Sequence, residues 1–512
     1  MMRRLTNTDE VERAARRLAA LLEARPEWLL REGAAGRSVE LRRGEWELTG
    51  AAGFLRLSYW GEAGARTWRV VAFGSEGEKI LLGARGPAGS VGVTLELVPR
   101  ASVWAARAEL AEARRSACER LAALVCREEA AEVLRLRLSE GPRRGEPGRH
   151  MRALLRRRDG SRLAATGPVV PVGAEEADTF LTSALLWHAR LEERTERGSP
   201  TGLLLVAPRA LASATAERLA LLDRRLRARL SLLEVDEGLT CLTRVPMPAL
   251  EELLDSAPPR LTRPQEASPS ALAAAVVSLA PEAADVVRAR RGETLRFRGL
   301  AFARVRRVLG SESLWFGTGG AKRLLDDESR PDFLKLLEEL KEHRRHDAPD
   351  PRHAFYRAAP EAWLESLLRR DITRLDPGLR LAPLHAQFRT TRAASPSARP
   401  VDILALRRDG RLAVVELKAS EDAAHPLQGA DYWRRVEAHR RAGNVARARL
   451  FGDAKISDSP PLVYLAAPAL RFHRSFDTLA RALSPEIEIY RYDLNEDWRS
   501  GVRVARRGRV GV

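Results

Sequence analysis

Three ionisable residues stand where a buried strand would ordinarily carry none. The stretch Val401–Tyr432 reads VDILALRRDGRLAVVELKASEDAAHPLQGADY. Two short apolar runs, Val401–Leu406 and Leu412–Leu417, flank the turn signal RRDGR, which is the pattern of a β-hairpin. Asp402 opens the first run, Glu416 ends the second, and Lys418 follows it. A charge inside a buried strand is costly unless it is paired or bound to metal. Glu416 and Lys418 are two apart, so their side chains share one face of the strand. The fourteen residues from Asp402 to Glu416 suit a hairpin that brings both carboxylates together. Two carboxylates at one point repel and raise one pKa. A hard divalent cation removes that conflict, and oxygen ligands of this kind suit Mg²⁺ or Mn²⁺. The neighbouring lysine can then orient a metal-bound water and offset charge on a phosphate.

At this combination of residues the stretch resembles the PD-(D/E)xK nuclease superfamily, which has the restriction-endonuclease-like fold. Asp402 and Glu416-Leu417-Lys418 match its D…ExK element, with Pro400 one residue further upstream than the family name has it. Gln428-Gly429-Ala430-Asp431-Tyr432 is similar to the QxxxY helix motif of the RecB-like branch, and the order of elements resembles the NucS-type branch. The resemblance implies the following roles. Asp402 and Glu416 bind the metal, with the Leu417 carbonyl as a further ligand. Glu365, or failing that Glu361, completes the shell from the preceding helix. Lys418 positions the attacking water, and Gln428 and Tyr432 steady the site. Arg369, Arg370, Arg434 and Arg435, which flank these motifs, are the expected nucleic-acid contacts. The implied activity is a Mg²⁺- or Mn²⁺-dependent deoxyribonuclease, an endonuclease, acting on DNA rather than RNA. His425 and His385 are read as surface or loop residues, and Trp433, matched by Trp187, as core.

The elements that must position these residues recur. RRGE at Arg42–Glu45 is echoed at Arg290–Glu293, and FGSEGEKILL (Phe73–Leu82) by FGTGGAKRLL (Phe316–Leu325). RLAALVCRE (Arg120–Glu128) parallels WLESLLRRD (Trp363–Asp371), and RRDGSRLA (Arg157–Ala164) parallels RRDGRLA (Arg407–Ala413). LTSALLW (Leu181–Trp187) parallels LQGADYW (Leu427–Trp433), and LLLVAPRAL (Leu203–Leu211) parallels VYLAAPALR (Val463–Arg471). Six similarities in one order imply an internal duplication. The expected fold class is α/β, a β-rich module plus a restriction-endonuclease-like α/β module, repeated. The expected divisions are 1–112, N-terminal helices and a β-rich module; 113–245, a degenerate nuclease-like domain; and 246–270, a linker around the Pro- and Ser-rich Ala257–Ser270. A second β-rich module at 271–352 and the nuclease domain at 353–512 complete them. Helix is expected over residues 5–30, 103–136 and 270–287. In the first copy, Arg152 falls at the position of Asp402, with Gly167 and Val169 at those of Glu416 and Lys418 if Ser161 is an extra turn residue. Thr182, Leu186 and Ala122 match Gln428, Tyr432 and Glu365. The first copy is thus expected to be catalytically dead.

Bulk properties agree with a soluble protein that meets a polyanion. With 45% hydrophobic and 30% charged residues, the 512-residue chain can form about two to four cored domains. The net charge of +18 favours a nucleic-acid partner. Cys118, Cys126 and Cys241 lack zinc-like spacing, so core thiols in a reducing, cytoplasmic compartment are expected. No membrane association is expected, and a homodimer or an intramolecular pseudo-dimer is. The alternative is a non-catalytic nucleic-acid-binding or scaffold protein that retains an inherited nuclease fold.

Overall fold

The computed structural model describes the chain except residues 1, 6, 34–37, 52–53, 62–63, 86–91, 100–102, 141–146, 195–198, 257, 259–260, 262–267, 290–291, 309–310, 319–321, 383–401 and 512. The Pro-rich linker therefore lies largely outside the described residues, as do His385 and Pro400. The chain is a mixed α/β protein in two compact units. One comprises Met1–Gly173, Leu191–Ala212 and Ser231–Arg244; the other comprises Ala174–Arg190, Ser213–Leu230 and Val245–Val512.

The first unit opens with β1 (Arg3–Arg4) and α1 (Thr8–Glu23), capped by the Asn7 side chain. β2 (Glu27–Glu32), β3 (Ser38–Arg42), β4 (Trp46–Ala51), β5 (Phe54–Gly61), β6 (Gly64–Glu76), β7 (Lys79–Arg85) and β8 (Val93–Pro99) follow. They form a sheet in the order β3-β2-β8-β7-β6-β5-β4, with β1 on β6. Val11, Ala14, Leu18 and Leu22 recur at helical spacing and are the face of α1 that meets this sheet's core. The helical expectation for 5–30 fails beyond Glu23, because Trp28–Leu30 pair into the sheet as β2. Next come α2 (Val103–Glu128), β9 (Ala131–Glu140), β10 (Pro147–Arg157), β11 (Arg162–Pro168), α3 (Ala177–Arg194), β12 (Gly202–Pro208), α4 (Arg209–Leu219), α5 (Arg224–Arg227), β13 (Leu230–Val235) and β14 (Leu242–Arg244). Here too the expected helix stops early, at Glu128, and the chain turns into β9 through Ala130 at positive φ. The sheet order is β14-β13-β12-β11-β10-β9. Most of α3, the C-terminal half of α4 and all of α5 belong to the second unit.

The second unit adds α6 (Leu250–Asp255), α7 (Ala271–Ser278), β15 (Ala284–Ala289), β16 (Gly292–Phe297), β17 (Leu300–Val308), β18 (Ser311–Phe316), β19 (Arg323–Leu324), α8 (Arg330–His343) and α9 (Ala354–Arg357). Residues 284–287, expected as helix, instead pair with β16 as part of β15. β15 to β19 form an antiparallel meander over a core of Phe297, Phe302, Phe316 and Phe333. The last module contains α10 (Pro360–Arg370), β20 (Leu379–Leu381), β21 (Ile403–Arg407), β22 (Leu412–Leu417), α11 (His425–Arg441), α12 (Asn444–Arg447), β23 (Leu462–Pro468), α13 (Phe476–Arg481), β24 (Ile489–Leu494) and β25 (Val504–Arg509). Its sheet runs β20-β21-β22-β23-β24-β25, the same progression as β9 to β14. In both, the first three strands are antiparallel, the third and fourth parallel, and the last pair antiparallel. β22 and β23 are buried on both faces, which is why they read as unbroken apolar runs.

Candidate active site

The hairpin register decides what meets what. Ile403 is opposite Val415 and Leu404 opposite Val414, so the next position pairs Asp402 with Glu416. Odd-numbered Ile403, Val415 and Leu417 join the core beneath α10, while Leu404, Leu406, Leu412 and Val414 pack with Tyr432 and Val436 of α11. The alternation of a strand puts Asp402, Glu416 and Lys418 on the α11 side. α11 can approach this closely because of Gly429: a Cβ there would lie 2.6 Å from Leu465 Cδ2 and 2.9 Å from Val463 Cγ1.

Contacts within the site are direct. Leu417 N–H donates to Asp402 Oδ2 at 2.9 Å. Lys418 Nζ donates to Glu416 Oε1 at 3.0 Å and lies 3.4 Å from Asp422 Oδ2. Glu416 is only 2% exposed, and its Oε2 is buried with no donor among the described residues. Burial first, then the charge of Asp402, raises the Glu416 carboxyl well above the usual range, with Lys418 opposing. Burial raises Asp402 to about 6; the Leu417 N–H opposes this and the charge of Glu365 adds to it. Burial works against the Lys418 charge, but Glu416 and Asp422 prevail and its pKa is raised. The three groups therefore form a lysine-braced acid pair in which burial and mutual repulsion disfavour charge on both carboxylates.

The remaining candidates come from two helices, α10 and α11. Gln428 is buried with Oε1 lacking a partner among the described residues. Tyr432 is buried on α11, and burial first, then the charges of Glu416 and Asp402, raise its phenol. Glu365 is buried on α10, with Arg369 Nε donating to Oε1 at 2.5 Å and Arg296 Nη1 3.8 Å from Oε2. Arg369 also donates to the Asp402 carbonyl at 2.6 Å, so it ties Glu365 to the hairpin. Glu361, the fallback for Glu365, sits in the first turn of α10, one turn earlier.

Of the four arginines expected to contact nucleic acid, Arg370 is exposed. The guanidinium of Arg369 is engaged as described, and those of Arg434 and Arg435 face inward. Arg434 donates to Asp431 at 2.7 Å and to Glu217 at 3.0 Å, and Arg435 donates to Asp431. Fully buried Asp431 also accepts from Arg218 at 3.3 Å, and Arg218 binds Asp178 at 2.9 Å. Burial would raise the Asp431 carboxyl, but Arg218, Arg435 and Arg434 hold it well below the carboxylate range.

Sequence reasoning missed two neighbours. His425, read as a surface or loop residue, is 2% exposed: its Nε2 donates to the Glu416 carbonyl at 3.2 Å and its ring stacks on Phe472. Burial, then Lys418, lower it to about 3, so it is neutral. Its place immediately before Pro426 at a helix start was the available signal. Asp422, four residues after Lys418, is the second. A wide groove along Pro377–Arg380, Leu406–Gly410 and Ala454–Ser459 lies at the turn end of the hairpin, away from the carboxylates.

The comparisons with known proteins add little to this geometry. No family model matches the chain, and no curated protein sequence matches it. Among solved structures it is similar to one described as "Structure of EndoMS in apo form", at 15% identity over 41% of this chain and 88% of that chain. The TM-score of that likeness is 0.13, and at that score it carries no argument about the fold or the site.

Proposed function

We propose that the protein is a metal-dependent nuclease that hydrolyses phosphodiester bonds of DNA at one site in its C-terminal module. The observation that carries this reading is the acid pair itself. Half-buried Asp402 stands opposite buried Glu416, Lys418 neutralises only one Glu416 oxygen, and the other oxygen has no donor among the described residues. Folding gains nothing from such a pair, and a hard cation with oxygen ligands would satisfy it. Asp402 and Glu416 would hold Mg²⁺ or Mn²⁺, with the Leu417 carbonyl beside them. Bound there, the cation would supply Lewis-acid polarisation of a phosphoryl oxygen and a more acidic water. Lys418 would hold and orient the water and offset phosphate charge. Gln428 and Tyr432 would close the α11 side of the site, and neutral His425 would fix the Glu416 backbone.

A second reading, a non-catalytic DNA-binding or scaffold protein, has an observation in its favour. Among the described residues no group of three or more His, Cys, Asp or Glu is gathered to hold a metal, since Glu365 is held by two arginines. Mg²⁺ needs no all-protein cage and keeps several waters, so the first reading is preferred. The test is incubation with single-stranded, duplex, branched and mismatched DNA in Mg²⁺ or Mn²⁺. Cleavage is expected, with a loss of at least about 100-fold in Glu416→Gln and Lys418→Ala. Salt-sensitive binding without cleavage would favour the second reading, and cleavage that survives both substitutions would refute this site.

A further inference from the structure

The two six-stranded modules can be aligned through their hairpins without adjusting the turn. Arg407 N donates to Arg411 O at 2.9 Å and Gly410 N to Arg407 O at 3.0 Å; Arg157 N donates to Ser161 O at 2.9 Å and Gly160 N to Arg157 O at 3.0 Å. RRDGR and RRDGS are therefore the same five-residue connection, and Ser161 is not an insertion. Arg152 is opposite Thr166, as Asp402 is opposite Glu416. The equivalents of Glu416 and Lys418 are thus Thr166 and Pro168, not Gly167 and Val169. The Thr166 hydroxyl donates to the Met151 carbonyl at 2.7 Å, which satisfies it internally. Proline has no amine to orient water. Thr182 and Leu186 stand where α11 has Gln428 and Tyr432. The first module has no acid pair and no lysine at these positions.

Within the second unit, corresponding segments of the two modules meet reciprocally. Leu222 and Leu483 form an antiparallel bridge; Asp223 N donates to Ala482 O at 2.9 Å, and Ser484 N to Leu221 O at 2.8 Å. Each segment leads into the equivalent strand, β13 in one case and β24 in the other. Antiparallel pairing of like with like is the contact that a two-fold axis generates. Buried Arg218 with Asp431, and Glu217 with Arg434, reinforce it.

We infer that the protein, if a nuclease as proposed above, is a nickase: it cuts one strand of a duplex per binding event. Of the two like modules, only the C-terminal one has the groups to hydrolyse a strand, so each chain brings one cutting site to a duplex. In that event one water oxygen bonds to phosphorus and one P–O bond to sugar breaks. One water proton ends on the released sugar oxygen and the other goes to solvent. The opposite strand stays intact.

The experiment uses the full chain with Mg²⁺ or Mn²⁺ on two closed-circular duplexes, a supercoiled plasmid and one carrying a single mismatch. Nicked circle is expected as the first product, with linear DNA appearing only after nicks accumulate, and Glu416→Gln abolishing nicking. Linear DNA formed as a first product overturns the inference but leaves the nuclease reading standing. Nicking that persists in Glu416→Gln overturns it too, because the first module would then be competent. No strand cleavage on either circle, or on the substrates named above, removes the nuclease reading itself.

Discussion

Burial raises the Asp402 carboxyl to about 6 and, together with Asp402, lifts Glu416 well above its ordinary value. Each folded pKa lies above its unfolded one, so the folded state binds more protons across that window. For Asp402 the resulting stability is present below its ordinary 3.8 and lost as pH rises through about 6. The metal-free protein is therefore expected to lose roughly 2–3 kcal/mol between pH 4 and 7 from this group. A divalent cation replaces the missing proton, so Mg²⁺ or Mn²⁺ at pH 7.5 should restore the loss. Thermal melts against pH, with metal and with chelator, check this. Asp402→Asn should remove its part of the pH dependence and the metal dependence, and a wild-type melt indifferent to metal would count against the cation site. His425 runs the opposite way: lowered by burial to about 3, it contributes stability that is lost as pH falls from its ordinary 6.5 toward 3.

At the scale of elements, the β15–β19 meander is clamped to the helix that carries Glu365. Gly299 has φ +81°, and a Cβ there would lie 2.0 Å from the Ala362 carbonyl oxygen. Arg344, fully buried, donates to the carbonyls of Phe297, Arg298, Phe355 and Ala358 at 2.7–3.2 Å and lies over Trp363. Burial, then Arg499 and Arg298, lower its pKa to about 9, which still leaves it charged at neutral pH. Arg296 of β16 reaches Glu365 from the same side. Gly299→Ala combines a clash with backbone and a strained φ, so it should cost about 3 kcal/mol or more. Denaturant unfolding measures it, and unchanged stability would mean that the meander and α10 separate easily.

For the whole molecule, the net charge of +18 predicts DNA binding that weakens linearly in log Kd against log salt. Because Arg434 and Arg435 are engaged with Asp431 and Glu217, substituting them should alter stability more than this slope. Fluorescence anisotropy with Glu416→Gln, over a salt series, separates the two effects. A flat dependence would remove the electrostatic case for a polyanionic partner. Among the described residues no helix is long and apolar enough to cross a membrane.

Local pattern was sufficient for much of the second module. The apolar runs of β21 and β22, the RRDGR turn, the Pro360 start of α10 and the order of motifs are encoded within a few residues of each other, where propensity and periodicity act. The same proximity made Asp402, Glu416 and Lys418 legible, since a hairpin pairs residues that are close in sequence. Tertiary structure alone decided the rest. Whether Trp28–Leu30 is helix or strand depends on β3 and β8 lying alongside it. Burial of His425 depends on Phe472 and Phe476, and one partner each of Glu365 and Arg434, Arg296 and Glu217, comes from 69 and 217 residues away. Charges and hydroxyls take whichever partner the fold brings within 3 Å, and no pattern in the flanking sequence records which one that is.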